Sequence, residues 1–273
     1  MTKTFGTWTV AVLAAVAMGL SGCGSDSGSA RTSGAKDEKA GDSSPKGKDS
    51  RGRPATGRAG TSNGVEKLPA TEIAEKASEA LRSADSVRLL AKGANLRMDR
   101  AGNCAGTVTF QPGSPSRLIR KGEKIWLKPE DSYWATKQGK AVRAKVPGAE
   151  GKYFAGTKSS LALGLPSLMC DANPLRQDLF SKVGKWTKDG LVTLGGRKAV
   201  VLRGTTAEGA SAAFFIATEG KPLPVKVESE RSSKGSPQGG QATFRLTDYD
   251  EPVTVTPPGD SIDVSKVESL FIS

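Results

Sequence analysis

Three cysteines and the absence of histidine limit the chemistry that this 273-residue sequence can perform. Without imidazole there is no Ser-His or Cys-His nucleophilic site, and no zinc site of the kind that depends on histidine. Ser43 and Lys46 have the spacing of a Ser-Lys dyad, but they lie in a Gly- and Ser-rich stretch where nothing fixes their geometry. Residues 248–251 carry three carboxylates without the glycine and spacing of a calcium loop, so we interpret them as a turn between strands. We expect no enzymatic activity, no metal and no cofactor.

Cys23 directly follows a short apolar segment. Residues 8–20 carry no charge, and the run is too short for a membrane-spanning helix, which takes about 20 residues. Leu20-Ser21-Gly22 then precedes the cysteine, a pattern that resembles a lipobox, where a thiol is acylated before the signal is removed. The alternative is an ordinary signal peptide with a chance cysteine. We predict that residues 1–22 are a secretory signal and that acyl chains on Cys23 anchor the protein at the extracytoplasmic face of the cell membrane.

A change in amino-acid composition near residue 68 predicts a second boundary in the chain. Between residues 24 and 67, glycine and serine dominate and Val65 is the single large aliphatic residue, so little apolar surface offsets the entropy of ordering. We predict that residues 23–67 comprise the lipidated cysteine and a disordered Gly/Ser/Lys-rich tether, with a root-mean-square span of roughly 35 to 40 Å. Residues 68–273 would then form a single domain.

Charge and the two remaining cysteines bear on partners. The net charge is +12, but the basic residues are scattered, and export argues against nucleic acid as a partner. The surface is either simply solvated or attracted to anionic headgroups and cell-wall polymers. Because disulfides persist outside the cytoplasm, we expect Cys104 and Cys170 to pair, with two buried free thiols as the alternative. We expect a monomer.

Periodicity divides the domain into a helix and short strands. Apolar residues at helical spacing predict an amphipathic helix over residues 71–84, capped by Thr71. Alternating patterns predict strands over residues 86–91, 107–110, 116–120, 123–128, 132–136, 191–194, 198–204, 211–217, 223–228 and 241–247. Between about 146 and 189, residues 161–166 and 173–182 look helical or loop-like. The predicted order is helix, antiparallel meander, helical insert, meander.

Short motifs in this order resemble the LppX/LprG-type lipoproteins, which share the half-barrel fold of the LolA carrier and bind acylated lipids. The motifs are Ser86-Val87-Arg88-Leu89, Lys124-Ile125-Trp126-Leu127 followed by Tyr133-Trp134, Arg197-Lys198-Ala199-Val200-Val201-Leu202, Phe215-Ile216-Ala217 followed by Lys221-Pro222-Leu223-Pro224, and the ending that starts Leu246-Thr247-Asp248-Tyr249. The resemblance implies an α+β fold in which a curved antiparallel half-barrel sheet is covered by a few helices. It also implies an apolar cavity for an acylated lipid or lipoglycan.

On such a fold, apolar residues of the concave face and of the insert are the candidate cavity lining. They are Val108, Phe110, Ile125, Leu127, Leu202, Phe214, Ile216, Leu161 and Leu165, and plain core packing is the alternative for each. Residues 161–169 are rich in leucine, yet Gly164 and Pro166 disfavour a stable helix, so we expect a mobile entrance there. The competing function is a non-enzymatic envelope module that docks to membrane or cell-wall partners through its basic surface, and a filled core would favour it.

Overall fold

The computed structural model describes residues 61–111, 114–206, 209–230 and 241–271. The predicted signal, Cys23 and most of the predicted tether therefore lie outside the described residues. None of the described helices is long and apolar enough to cross a membrane.

The described residues form four α-helices and twelve strands. The helices are α1 (Ala70–Ser83), α2 (Lys137–Lys145), α3 (Leu161–Met169) and α4 (Ala172–Asp178). The strands are β1 (Ser86–Ala91), β2 (Ala94–Asp99), β3 (Asn103–Gln111), β4 (Ser114–Lys121), β5 (Lys124–Pro129), β6 (Tyr153–Thr157), β7 (Val183–Leu194), β8 (Arg197–Thr206), β9 (Ser211–Ala217), β10 (Pro224–Glu230), β11 (Gln241–Thr247) and β12 (Ser261–Asp263). Short 3₁₀ helices occupy Val65–Lys67, Asp131–Ala135, Val264–Lys266 and Glu268–Phe271.

These strands make one open sheet in the order β12-β6-β5-β4-β3-β2-β1-β11-β10-β9-β8-β7. Neighbouring strands pair antiparallel, except that β12 runs parallel to β6. Because β1 pairs with β11, two meanders, β1–β6 and β7–β11, extend in opposite directions from one seam. The predicted α+β class, a mostly antiparallel sheet with a few helices, is confirmed.

Two apolar clusters lie on opposite sides of that seam. The first cluster is buried between β1–β6 and the helical insert and includes Val87, Leu96, Met98, Cys104, Val108, Leu118, Ile125, Trp134, Val142, Phe154, Leu163, Cys170, Leu246 and Val264. The second cluster is buried between β7–β11 and α1 and includes Val65, Ile73, Ala77, Leu81, Phe180, Val200, Leu202, Phe214, Ile216 and Val227. Leu179, Phe244 and Tyr249 pack against both clusters.

Two predicted elements need correction. Thr71 lies inside α1, whose N-cap is Pro69 without a side-chain cap. Residues 132–135 belong to the 3₁₀ helix Asp131–Ala135 and Thr136 is the N-cap of α2, so residues 132–136 do not form the predicted strand. Tyr and Trp favour strands, but tertiary packing overrides that preference here. Gly139 of α2 lies so close that a Cβ there would be 2.2 Å from the Tyr133 carbonyl oxygen, so α2 can abut the 3₁₀ segment only through glycine.

The folded unit begins earlier than the predicted boundary at residue 68. The Asn63 N–H donates to the Thr218 carbonyl (2.7 Å), and its side-chain amide donates to the carbonyls of Ala217 and Gly220. Val65, the single large aliphatic residue of the predicted tether, is 3% exposed in the second cluster. Burial of Val65 and the hydrogen bonds of Asn63 thus attach this segment to the rest of the domain.

Residues 161–169 form a helix, α3, against the expectation from Gly164 and Pro166. Pro166 removes one backbone hydrogen bond, and isolated helices this short are marginal in any case. Burial of Leu163 and Pro166 against the sheet, together with the Cys170 cross-link at the C-cap, supplies the stability that local propensity lacks.

Candidate functional site

Alternation in β3 and β5 directs four of the candidate lining residues to one face of the first meander. Val108 and Ile125 are fully buried in the first cluster, while Phe110 and Leu127 are partly buried against it. The members of each pair are two positions apart and therefore point to the same side of the sheet. These four residues form an apolar floor under the helical insert.

Three other candidates lie in the second cluster instead. Leu202 pairs across the strands with Phe214, and Ile216 belongs to the same cluster. The Phe214 ring lies 5.0 Å from those of both Phe180 and Trp186. The structure therefore divides the candidate lining between two clusters, and Phe214 and Ile216 do not face residues 161–169 as the sequence interpretation assumes.

Helix α3 covers the floor with one side only. Leu163 is buried in the first cluster above Gly156, where an added Cβ would lie 3.0 Å from the Leu163 side chain. Leu161 and Leu165 are 67% and 65% exposed, so these two candidates point away from the sheet. The helix thus carries leucines on both its inner and its outer face.

The disulfide holds one end of this helix. The Cys104 and Cys170 sulfurs are bonded at 2.03 Å, which ties β3 of the floor to the C-cap of α3. At the other end, the backbone N–H of Leu161 donates to a carboxylate oxygen of Glu268 (2.5 Å). The N-terminal end is therefore attached by noncovalent contacts and the C-terminal end by a covalent bond.

Trp134 is a functional candidate that residue patterns alone did not single out. It belongs to the first cluster with 4% of its surface exposed, and its indole Nε1–H has no hydrogen-bond partner among the described residues. Tyr133 contacts it edge-on at 5.2 Å, and burial raises the pKa of Tyr133 to about 12. Buried donors are normally paired, so an orphaned indole N–H in an apolar cluster marks a position where an acceptor would be favourable. The available signal in the sequence is the adjacent pair Tyr133-Trp134, but the strand predicted over residues 132–136 does not identify it as a site.

The carboxylates of residues 248–251 serve the fold. Asp248 accepts from Arg88 (3.3 Å) and Arg97 (2.6 Å), and Asp250 accepts from Lys221 (2.6 Å). Asp248 and Asp250 adopt left-handed backbone conformations, with φ of 49° and 62°, in the irregular segment after β11. No group of three or more potential metal ligands occurs in the described part of the chain. These contacts fit the turn interpretation.

Comparison with known proteins concerns the fold alone. No protein-family model matches the chain, and no curated protein matches its sequence. Crystal structures do match: LprF from Mycobacterium bovis at 14% identity and a TM-score of 0.49, over 70% of this chain and 98% of that chain. The Mycobacterium tuberculosis lipoprotein LppX matches at 16% identity and a TM-score of 0.42, over 68% and 97%. A LolA superfamily protein from Nitrosomonas europaea matches at 13% identity and a TM-score of 0.26, over 70% of this chain and 96% of that chain. Proteins of the types that the sequence motifs indicate are thus among the structural neighbours.

Proposed function

We propose that the protein is a membrane-anchored extracytoplasmic lipoprotein that binds the acyl chains of a lipid or lipoglycan between the β1–β6 floor and α3. The unpartnered Nε1–H of Trp134 is the observation that carries this proposal. Ligand sites for lipids are lined mainly by apolar side chains and contain a few placed polar groups. The ester carbonyl of an acylated lipid is an acceptor that would satisfy the indole while its chains contact Val108 and Ile125.

Val108 and Ile125 are fully buried, so the proposal requires α3 to move off the floor before an acyl chain can enter. Helix α3 contains Gly164 and Pro166, both of which weaken a helix, and its main strand contacts are with β5 and β6, near one edge of the sheet. Lifting its N-terminal end would withdraw Leu163 from the floor. The Cys104–Cys170 bond would limit that movement to a hinge at the other end.

Anchoring is the second part of the proposal, and the lipobox-like motif supports it. Replacement of Cys23 by alanine should leave the chain unprocessed or release it from the membrane, because acyl chains are its strong membrane element. Fractionation of cells that express wild type and Cys23→Ala checks this. Unchanged membrane retention of the variant contradicts the anchor.

Lipid binding is tested on the chain that begins at residue 24, because every described contact lies within residues 61–271. Native mass spectrometry should detect a co-purified lipid, and titration with a phospholipid that carries a fluorescent acyl chain should saturate. Trp134→Phe keeps a six-membered aromatic ring but removes the N–H together with the five-membered ring of the indole, so the affinity should fall about five- to tenfold for the lost hydrogen bond. Its thermal stability should fall, because the smaller phenyl ring leaves a cavity where Trp134 is buried in the first cluster.

Trp186→Phe is the matched control, because Trp186 lies in the second meander against Phe214. It should bind the fluorescent lipid like wild type. Failure of the wild-type chain to bind any acylated probe contradicts the proposed function. Equal affinities of wild type and Trp134→Phe contradict the role of the indole and leave lipid binding in place.

A further inference from the structure

A stripe of leucines on α3 has no partner in the described structure. Leu161, Leu165 and Leu168 follow each other at the four- and three-residue spacing of one helical face and are 67%, 65% and 68% exposed. Leu191, on the far meander, is the one other large apolar side chain with comparable exposure among the described residues. Contiguous exposed apolar surface of this kind marks an interaction site in a soluble domain.

Helix α2, which packs on the 3₁₀ helices Asp131–Ala135 and Glu268–Phe271, carries a basic surface. Its nine residues contain four cations and no carboxylate, and Lys137 and Lys140 are exposed. The inward residue Val142 belongs to the first cluster, as does Leu163 of α3, and both helices contact the 3₁₀ helix Glu268–Phe271. The two helices are therefore neighbours in the cover of the first cluster.

The nearby carboxylates cancel only part of this charge. Glu150 pairs with Arg143 (2.8 Å), and Glu268 accepts the backbone N–H of Leu161. Leucines beside uncompensated lysines are the composition of a surface that inserts shallowly into a bilayer and attracts anionic headgroups.

We propose that this face, the leucine stripe of α3 with Lys137 and Lys140 of α2, docks directly on the surface of an anionic phospholipid bilayer. Fewer than 40 residues separate Cys23 from the described structure. Under the proposed anchoring at Cys23, the domain would experience a high effective concentration of membrane surface, so a weak contact would be enough to orient it. The inference does not depend on the lipid site in the first cluster, since the stripe lies on the opposite side of the helix.

The test uses the unacylated chain that begins at residue 24 and flotation with phosphatidylcholine vesicles that contain about one third phosphatidylglycerol. The wild-type chain should float with these vesicles and not with pure phosphatidylcholine, and binding should fall when salt is raised from about 0.1 to 1 M. Leu165→Asn/Leu168→Asn should reduce the partition coefficient about tenfold by removing the inserting side chains. Lys137→Gln/Lys140→Gln should reduce it about fivefold for each lysine at low salt.

Matched controls come from the far meander. Leu191→Asn and Lys185→Gln/Lys198→Gln change exposed residues of the same types on β7 and β8, and they should float like wild type. The α3 variant alters exposed residues only, so its melting temperature should equal that of wild type. Trp134→Phe should also float normally, which separates docking from lipid binding. Absence of wild-type flotation, an equal loss in Leu191→Asn, or a stripe-dependent dimer in sedimentation velocity in place of vesicle binding overturns the proposal.

Discussion

The two meanders of the sheet are built alike but covered differently. One continuous 14-residue helix, α1, covers the second meander and buries Ile73, Ala77 and Leu81. The first meander is covered in pieces, by α2, α3 and 3₁₀ segments, and its cover leaves leucines exposed on the outside and an indole N–H unpaired inside.

Packing stability accounts for the cover of the second meander but not for all features of the cover of the first. In the second cluster the amphipathic pattern of α1 accounts for the buried residues, and Phe180, Trp186 and Phe214 fill the space with ring contacts. In the first, Pro166 inside a helix and an unsatisfied buried donor each cost stability. Departures from folding rules of this kind are expected at functional sites, which is why we locate ligand binding under α3.

Phe214→Ala gives the largest expected effect and tests the second meander as a structural platform. The side chain is 2% exposed, so its removal leaves a cavity and should lower the free energy of unfolding by about 3–5 kcal/mol. Chemical denaturation measures this loss. Lipid affinity per folded molecule should be unchanged, and a folded Phe214→Ala protein that no longer binds lipid would assign the ligand to the second cluster.

The double variant Cys104→Ser/Cys170→Ser tests how the disulfide attaches α3 to the first meander. Loss of a cross-link between positions 66 apart should reduce stability by about 2–4 kcal/mol. Amide exchange should rise in residues 161–169 and stay slow in α1, because only α3 loses its covalent attachment. Uniformly faster exchange in both helices would mean that the disulfide stabilises the whole domain and does not hold this cover in particular.

The sequence predicts the strands better than the helical segments that cover them. The bounds of β1, β9 and β11 agree with the structure because period-two patterns between turn residues define them locally. The strand β2 was missed although Ala94, Leu96 and Met98 alternate inward, because Arg97 and Asp99 mask the apolar character of the segment.

Long-range contacts determine which helix covers which part of the sheet. Alternation tells which face of a strand Val108 or Phe214 occupies, but not that α3 covers one of them and α1 the other. The helical state of residues 161–169 and the isolation of the Trp134 N–H likewise depend on packing between distant segments, which residue spacing does not encode. The candidate lining residues therefore lie in two clusters under different helices, which the sequence interpretation did not distinguish.

Gly164→Ala should make α3 a more stable helix and so more like α1. An added Cβ at this position would lie 3.7 Å from the Lys158 carbonyl oxygen, an ordinary contact, so the substitution fits. Replacing glycine inside a helix should raise stability by about 0.5–1 kcal/mol. Stopped-flow uptake of the fluorescent lipid should become slower, because a stiffer α3 opens less often. Faster or equal uptake with raised stability contradicts the entrance at α3.

Asp250→Asn has the smallest expected effect and concerns the seam between the meanders. Hydrogen bonds from Lys221 and from the backbone N–H of Asp85 hold the pKa of Asp250 below its ordinary value of 3.8. A lowered folded-state pKa stabilises the fold above the unfolded pKa, and this contribution disappears as pH falls through the folded value. Urea midpoints of wild type and variant should therefore differ near neutral pH and converge in acid. Glu75→Gln, an exposed change on α1, is the control for losing one negative charge.

Photo-crosslinking tests the central claim most directly, with a phospholipid that carries a photoactivatable group at the end of its acyl chain. The wild-type chain is loaded, irradiated and digested, and the labelled peptides are identified by mass spectrometry. The account predicts label on the floor strands β3 and β5, around Val108 and Ile125, and on the inner side of α3 at Leu163. Label confined to β8 and β9, around Leu202 and Phe214, or to α1 would contradict it, because the ligand would then lie under the continuous cover.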